Sequence, residues 1–146
     1  MIIKETLVKD VMRTPVITIS SDAGLDRALL MMQSQRIRHL PVVEDGMLVG
    51  IISSRELRLS MLETEGPAGA PKGYYLPALR KVRESMVPKV LTALPAMPLA
   101  NAAIIMSERK IGALPVVEPG TKKVVGIITD ADMLRLLAKI LKQKGT

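Results

Sequence analysis

Residues 37–44 read I-R-H-L-P-V-V-E and residues 49–56 read V-G-I-I-S-S-R-E, and the same two-part pattern returns at 111–118 as I-G-A-L-P-V-V-E and at 125–132 as V-G-I-I-T-D-A-D. In each copy, two short apolar runs rich in β-branched residues are separated by a turn-forming segment. This arrangement predicts two strands joined by a hairpin. Because the pattern occurs twice, we expect two equivalent structural units.

The repeat extends well beyond these strands. Residues 8–46 align with residues 82–120 at 14 identities in 39 positions, and two extra residues, Thr121 and Lys122, then restore the alignment from the V-G-I-I run onward. The gap falls between the two predicted strands, where a surface turn tolerates an insertion. The duplication is therefore expected to be structural. Two equivalent units that pack together would create a pseudo-twofold axis, and the crevice along it would suit a ligand.

The segment before each hairpin predicts one strand and one helix. Val16–Ile19 is short and β-branched, and Ser20–Asp22 offers a helix N-cap. Apolar residues then follow at helical spacing in both copies, with Pro98 suited to the first helical turn of the second copy. A final helix is predicted to begin at Ser53 and again at Thr129. The helical stripes are Leu25, Ala28, Leu29 and Met32 in the first copy and Leu99, Ala102, Ala103 and Met106 in the second.

Each repeat is thus predicted to run strand, helix, strand, strand, helix. The fold class is mixed α/β (α+β), with two β-α-β-β-α repeats related by a pseudo-twofold axis and packed as one module, because a three-stranded sheet is marginal alone. We place repeat 1 at residues 1–62, an inter-repeat linker at 63–81 and repeat 2 at 82–146. The linker is rich in Gly and Pro as far as residue 73, and an apolar, partly helical pattern resumes at Tyr74.

The composition disfavours several classes of function. Cysteine is absent and histidine occurs once, which excludes a cysteine nucleophile and a His-rich metal site, and neither G-x-x-x-x-G-K-S/T nor G-x-G-x-x-G occurs. We therefore expect a protein that is not an enzyme and that holds no metal and no catalytic cofactor. No apolar run is long enough to span a bilayer and no export leader is present, which predicts a cytoplasmic protein without a membrane partner.

The charge balance is basic, with 21 Lys and Arg against 14 Asp and Glu and a net charge of +7. This excess favours an anionic partner, or it serves only solubility. Nucleic acid is the weaker candidate, because the basic residues are dispersed and the two aromatic residues, Tyr74 and Tyr75, fall in the linker.

The motifs, in the order in which they occur along the sequence, resemble a tandem pair of CBS domains, the arrangement called a Bateman module. They are the M-x-x-x-V segments (Met12 to Val16 and Met86 to Val90), the I-x-x-L-P-V-V strands and the V-G-I-I-S/T-x-x-D/E junctions. The resemblance covers the whole chain apart from the linker. Among CBS proteins, the chain most resembles the small stand-alone bacterial proteins of the acetoin-utilisation type. It implies a sensor that binds AMP, ADP, ATP or S-adenosylmethionine, commonly as a homodimer, and it implies no chemistry. Output would then pass through a separate regulated protein or through the state of assembly.

The second junction has the residues that a nucleotide needs. Thr129 and the N–H groups of a helix start favour a phosphate, and Asp132 can accept hydrogen bonds from both ribose hydroxyls, the roles that the family gives to these residue types. The alternative is that T-x-x-D only caps its helix. In the family, residues just before L-P-V-V contact phosphate. Here they are Arg38 and His39 in the first copy and the equivalent Gly112 and Ala113 in the second, which admit a ligand close to the backbone. Arg38 is alternatively a solvated arginine at the rim. An apolar adenine slot, or plain core, is expected from Ile17, Ile37, Leu91, Ile111 and Ile127.

A second site is expected to be weaker or purely structural. Ser53 keeps the hydroxyl, but Glu56 stands where the family has Asp, and S-x-x-E is an ordinary capping box. His39, Leu91 and Ile111 complete this group. His39, as a lone histidine beside a strand, is alternatively a packed or rim residue.

The resulting hypothesis is a regulatory module that binds an adenosyl ligand in a cleft between its repeats, from the Thr129 junction of one repeat to the Arg38 region of the other. The alternative is a partner-binding or oligomerisation scaffold without a working ligand site, and a nucleic-acid-associated regulator ranks third. The C-terminal helix is predicted to carry a broad apolar stripe from Met133 to Leu141, which indicates either a partner or burial against its own sheet.

Overall fold

The computed structural model of the chain describes residues 5–63 and 80–144. These residues form two compact units. One unit contains the described residues between 17 and 90, and the other contains those up to residue 16 together with those from residue 91 onward. We call them the first-repeat unit and the second-repeat unit, after the hairpin that each contains. Most of the predicted linker, with Tyr74 and Tyr75, lies outside the described residues.

The elements alternate as the mixed α/β prediction requires, and that fold class is confirmed. In chain order they are α1 (Val8–Val11), β1 (Ile19–Ser20), α2 (Leu25–Gln35), β2 (His39–Glu44), β3 (Met47–Ser53), α3 (Ser54–Glu63), a 3-10 helix (Val82–Glu84), β4 (Val87–Pro88), α4 (Leu99–Arg109), β5 (Ala113–Val117), β6 (Val124–Thr129) and α5 (Asp130–Lys144).

The first-repeat unit contains a four-stranded sheet in the order β1-β2-β3-β4. Strands β1 and β2 are parallel, and the other two pairs are antiparallel. The hairpin between β2 and β3 turns at Asp45 and Gly46, whose φ angles are 52° and 79°. Two consecutive left-handed residues match the twist of the strands that they join, which is why an Asp-Gly pair suits this turn.

The second-repeat unit has the same strand arrangement, but the pairings on either side of its hairpin are shorter. Strands β5 and β6 form an antiparallel pair, and single bridges join Ala93 to Val116 in parallel and Arg13 to Ile127 antiparallel. These bridges stand where β1 and β4 stand in the first-repeat unit. The strand predicted before each helix is therefore reduced. It is Ile19–Ser20 in one unit and a single bridge in the other, because only the end of each segment reaches its neighbouring strand.

Each unit is completed by a leading segment, residues 5–16 or 80–90, that precedes the hairpin of the other unit in the sequence. In the second-repeat unit, the Val8 N–H donates to the Met97 carbonyl and the Leu99 N–H donates to the Thr6 carbonyl, both at 2.8 Å. Equivalent bonds join residues 80–82 to residues 23–25 in the first-repeat unit. The repeat boundaries predicted at residues 62 and 82 divide the sequence and not the compact units. They stay predictions.

The glycines of the two V-G-I-I runs lie where the leading segments cross the hairpins. A Cβ on Gly126 would lie 2.7 Å from Sδ of Met12, and a Cβ on Gly50 would lie 2.6 Å from Sδ of Met86. Carbon and sulfur atoms do not approach so closely without displacement. The methionine of M-x-x-x-V and the glycine of V-G-I-I are therefore the two sides of one packing contact in each unit.

Each unit has its own apolar core. Helices α2 and α4 bury equivalent positions, Leu25, Ala28 and Met32 in the first and Leu99, Ala102 and Met106 in the second. The predicted stripes are confirmed at these positions. In α5, Met133 and Leu136 pack against the core of the second-repeat unit, whereas Leu134, Leu137 and Leu141 are exposed.

The predicted helix caps need correction. Helix α2 begins after Gly24, which makes no side-chain cap bond, so the proposed N-cap at Ser20–Asp22 is wrong. The Asp22 carboxylate instead pairs with Lys81 and Arg83, each at 2.8 Å. Pro98 occupies the N-cap position of α4 and not its first turn.

Candidate functional site

The junction between β6 and α5 contains the first predicted site residues. Thr129 ends the strand and Asp132 lies in the first turn of the helix. The backbone N–H and the hydroxyl of Thr129 donate to Asp132 Oδ2, at 2.9 and 3.0 Å, and the Asp132 N–H donates to the Thr129 hydroxyl at 3.3 Å. This is the capping arrangement that the T-x-x-D spacing allows, and it positions both side chains at the start of the helix.

Asp132 is a buried carboxylate, 6% exposed, whose other oxygen binds two arginines. Arg135 Nη2 lies 2.6 Å from Oδ1, and Arg13 Nε lies 3.2 Å from the same atom. Burial by itself raises the pKa of Asp132. The hydrogen bonds from Thr129, Arg135 and Arg13 outweigh that effect, and the pKa lies below its ordinary value of 3.8. The carboxylate is therefore ionised at neutral pH, and both of its oxygens already have partners.

Sequence reasoning missed both arginines. Arg135 was detectable, because a residue three positions after Asp132 lies on the same side of a helix. Arg13 gave no local signal, since it is separated from Asp132 by 119 positions. It reaches the site because its backbone pairs with Ile127, where the Arg13 N–H donates to the Ile127 carbonyl at 2.9 Å.

The other predicted site residues of the second repeat lie in the second-repeat unit, as Thr129 and Asp132 do. Ala113 is buried and pairs with Thr129 across the β5–β6 ladder, and the neighbouring Gly112 carbonyl accepts the Asp130 N–H at 2.9 Å. Ile127 is buried between its partners in β5 and in the leading segment. Two predicted apolar positions differ in environment: Leu91 is 44% exposed, whereas Ile111 packs against the core.

The equivalent junction of the first-repeat unit is built differently. The Ser53 hydroxyl donates to Glu56 Oε2 and also accepts the Arg55 N–H, which closes the start of α3. By the repeat alignment, Val87 and Leu59 occupy the positions of Arg13 and Arg135. Glu56 thus has no arginine at either equivalent position.

The remaining predicted residues also belong to the first-repeat unit. His39 is half-buried in β2 and pairs with Ser53, and Arg38 is exposed, with its carbonyl accepting the Ser54 N–H at 3.0 Å. Ile17 is 36% exposed, whereas Ile37 packs against the core. The structure therefore separates the predicted residues into two sets, one in each unit. Their meeting in a single ligand site stays a prediction.

A groove of about 320 Å³ lies beside Asp132 in the second-repeat unit. It is lined by Thr6, Asp10, Val11, Asp132, Arg135, Leu136 and Lys139. A second groove, of about 290 Å³, lies in the first-repeat unit and includes Ile37, Ser54 and Arg58. The first groove is the more polar of the two, with two carboxylates and two cations along its walls.

Two further properties concern the described residues only. Among residues 5–63 and 80–144, no group of three His, Asp or Glu side chains is arranged to hold a metal ion. None of the helices in those ranges combines the length and the apolar character that crossing a membrane requires.

Comparison with known proteins identifies relatives along the whole chain. A CBS domain protein of Dictyostelium discoideum is 34% identical over 139 residues, which cover 94% of this chain and 95% of the relative. The L-aspartate semialdehyde sulfurtransferase of Methanocaldococcus jannaschii is 33% identical over 132 residues, which cover 90% of this chain and 23% of the enzyme. The chain thus spans about a quarter of the relatives that carry enzyme names.

Solved structures give the same result. The CBS domain pair of protein MJ0100, solved with 5′-methylthioadenosine and S-adenosyl-L-methionine, matches with a TM-score of 0.78 and 32% identity, covering 92% of this chain and 97% of that one. The Vibrio cholerae protein named AcuB, for acetoin utilization, matches with a TM-score of 0.79 and 30% identity, covering 97% of both chains. CBSX2 in complex with AMP matches with a TM-score of 0.73 and 26% identity, covering 92% of this chain and 97% of that one.

The family assignment rests on both halves of the chain. The CBS domain family model matches residues 8–63 and again residues 80–139. These matches fall on the two hairpins and on the helices that follow them. The chain belongs to the CBS domain family, as a tandem pair of CBS domains.

Proposed function

We propose that this chain is a regulatory module that binds an adenine nucleotide or another adenosyl ligand and performs no catalysis. The observation that carries the proposal is Asp132, a buried and ionised carboxylate at a strand-to-helix junction, held by Thr129 and by two arginines. Related CBS pairs were solved with AMP and with S-adenosyl-L-methionine, which supports the same ligand class here.

Each residue of the junction has a role in this proposal. Asp132 accepts hydrogen bonds from the ribose hydroxyls, and Thr129 with the N–H groups at the start of α5 receives a phosphate. Because those N–H groups already donate within the junction, the phosphate must replace their present acceptors. Ile127 supplies apolar surface for the adenine, and Gly112 and Ala113 let the ligand approach the backbone. Arg38, Ile17 and Ile37 of the first-repeat unit complete the site. The Ser53 and Glu56 junction, with His39, Leu91 and Ile111, forms a second and weaker site.

Ligand binding must change the contacts of Asp132, because both carboxylate oxygens are already bonded. A ligand shifts the equilibrium between conformations only by its differential affinity for them. Exchange of partners at Asp132 supplies such a difference, since one of those partners, Arg13, belongs to the leading segment. Occupancy is thereby coupled to the docking of residues 5–16, and the output is a change of conformation or assembly in a cytoplasmic homodimer.

The test is calorimetric titration of the whole chain with AMP, ADP, ATP and S-adenosylmethionine. Saturable binding is expected, and Asp132→Asn should weaken it about 10-fold to 100-fold, because a hydrogen bond to a charged group contributes roughly 1.5–3 kcal/mol. Asp26→Asn is the matched control. It removes the same charge from the first turn of α2, in the first-repeat unit, and should leave the affinity unchanged.

A second candidate, a scaffold for assembly without a ligand site, is favoured by one observation. Leu134, Leu137 and Leu141 form an exposed apolar stripe on α5, with exposed fractions of 64%, 50% and 59%. Absence of binding across the whole ligand panel by folded protein would overturn the sensor and favour this alternative.

A further inference from the structure

Two arginines share one oxygen of Asp132, and they differ in how they are held. Arg135 lies one turn along the same helix, with its Nη2 at 2.6 Å from Oδ1, whereas Arg13 comes from the leading segment, with its Nε at 3.2 Å. Side-chain exposure is 47% for Arg13 and 60% for Arg135, so distance and chain position distinguish the two arginines and exposure does not. Arg13 therefore makes the longer contact from the more distant element, and it is the partner that an incoming ligand can displace.

Displacement of Arg13 has a cost that depends on the ligand. The Oδ2 atom of Asp132 is already occupied by both donors of Thr129, so a ribose hydroxyl that binds the carboxylate competes for Oδ1. A neutral hydroxyl is a weaker partner for a carboxylate than a guanidinium is. The released guanidinium also loses its counter-charge, unless the ligand brings another.

We propose that Arg13 makes this site selective for adenosine ligands that carry a phosphate, over adenosine ligands that carry no anionic group. The inference rests on the proposed function and names the ligand class within it. On binding, Arg13 exchanges the Asp132 carboxylate for the ligand phosphate, which a planar guanidinium can bind through two N–H groups. Adenosine and 5′-methylthioadenosine carry no anionic group, so they break the ion pair and do not replace it.

The other charges near the junction leave this preference in place. Asp130 Oδ1 accepts the Ala131 N–H at 2.7 Å, and Asp10 Oδ2 accepts the Leu7 N–H at 2.8 Å, so both carboxylates are bonded to backbone donors. Arg135 and Lys139 add positive charge along the groove beside Asp132. The first-repeat unit has uncharged residues at the positions of both arginines, so the preference is expected only at the Asp132 junction.

Titration with AMP and with adenosine is the sharpest test, because the two ligands differ by the phosphate alone. The wild-type chain is expected to bind AMP at least about 10-fold more tightly than adenosine. Arg13→Gln removes the charge and keeps a hydrogen-bond donor, so it should weaken AMP binding without weakening adenosine binding and reduce the ratio of affinities about 10-fold.

Two further variants separate charge from structure. Arg13→Lys keeps a cation and should retain most of the preference for AMP. Arg83→Gln removes an arginine of similar exposure, 50% against 47%, from its ion pair with Asp22 in the first-repeat unit, and should leave the ratio unchanged.

The possible outcomes separate the selectivity assigned to Arg13 from the proposed function. An Arg13→Gln chain that keeps the wild-type ratio overturns the selectivity and leaves the proposed function standing. Equal loss of both ligands by a variant with normal thermal unfolding assigns Arg13 a role in maintaining the site and also overturns the selectivity. If the wild-type chain binds none of AMP, ADP, ATP, adenosine and S-adenosylmethionine, the proposed function fails and this inference fails with it.

Discussion

Replacing Gly50 or Gly126 by alanine would test the close crossing on which each unit depends. A Cβ at Gly50 would lie 2.6 Å from Met86 Sδ and 2.9 Å from the Val87 carbonyl oxygen. At Gly126 the corresponding distances are 2.7 Å to Met12 Sδ and 3.2 Å to the Arg13 carbonyl oxygen. A methionine side chain can rotate away, but a carbonyl cannot move without disturbing the pairing of the leading segment. The substitution at Gly50 should therefore be the more damaging one.

The size of the effect follows from two opposing contributions. Overpacking costs roughly 1–3 kcal/mol, and alanine recovers about 0.4–1 kcal/mol by restricting the unfolded chain. The recovery applies because neither glycine has a positive φ. We expect a loss of about 2 kcal/mol for Gly50→Ala and about 1 kcal/mol for Gly126→Ala, working from those two ranges.

Urea unfolding followed by circular dichroism measures both losses, and double-mutant cycles identify their source. Met12→Ala should rescue Gly126→Ala more completely than Met86→Ala rescues Gly50→Ala, because the Val87 carbonyl remains in the way. Gly46→Ala is the contrast: its φ is +79° and its Cβ would meet nothing within 4 Å, so its cost should not depend on Met86. Stabilisation by Gly50→Ala and Gly126→Ala, or an absence of coupling to the methionines, would refute the packing argument.

Two more predictions concern Asp132 and helix α5. Because the pKa of Asp132 is lowered on folding, its contribution to stability is present above the ordinary value of 3.8 and is lost as the pH falls through the lower folded value. Asp132→Asn should therefore flatten the dependence of Tm on pH below about pH 4, and an unchanged slope would contradict the ion-pair geometry. To test the proposed homodimer, Leu137→Glu should lower the mass measured by analytical ultracentrifugation, while Met47→Glu, at an exposed apolar position of the β2–β3 hairpin, should not. Equal masses for the two variants would contradict a role for the α5 stripe.

The hairpins and the helices that follow them were predictable because their determinants are local. The L-P-V-V and V-G-I-I runs pair as expected, with Pro41 opposite Ile51 and Pro115 opposite Ile127. The two-residue insertion at Thr121 and Lys122 falls in the turn between β5 and β6. Strand propensity, turn residues and alternation over a few positions determine all of this.

The start of α2 was not predictable from its neighbours in the sequence. Ser20–Asp22 has the composition of an N-cap, yet the helix begins at Leu25, whose N–H donates to the Arg80 carbonyl at 3.0 Å. The Ala23 carbonyl likewise accepts the Val82 N–H at 2.8 Å. The backbone of the leading segment thus accepts a hydrogen bond from the start of the helix, where a capping side chain would ordinarily do so. Because that segment is distant in the sequence, no local pattern reveals it.

The candidate site was predictable in part, for a related reason. Thr129 and Asp132 belong to one strand-to-helix junction, and their spacing alone predicts the mutual hydrogen bonds. The arginine that completes the charge network arrives through the leading segment. Its position depends on the contact between Met12 and Gly126. The sequence does not reveal this contact, because the two residues lie far apart in the chain.

Comparison of the two units within the chain separates what the fold requires from what the charge network requires. Both units keep the methionine and the glycine of the crossing, so packing demands the same pair twice. One residue beyond each methionine, Arg13 in the second-repeat unit corresponds to Val87 in the first-repeat unit, although both make the same antiparallel bridge. Because the backbone role is common to both and the guanidinium is not, the bridge itself does not require the arginine. Arg13 beside Asp132, with Val87 at the equivalent position beside Glu56, accounts for the different charge networks of the two junctions.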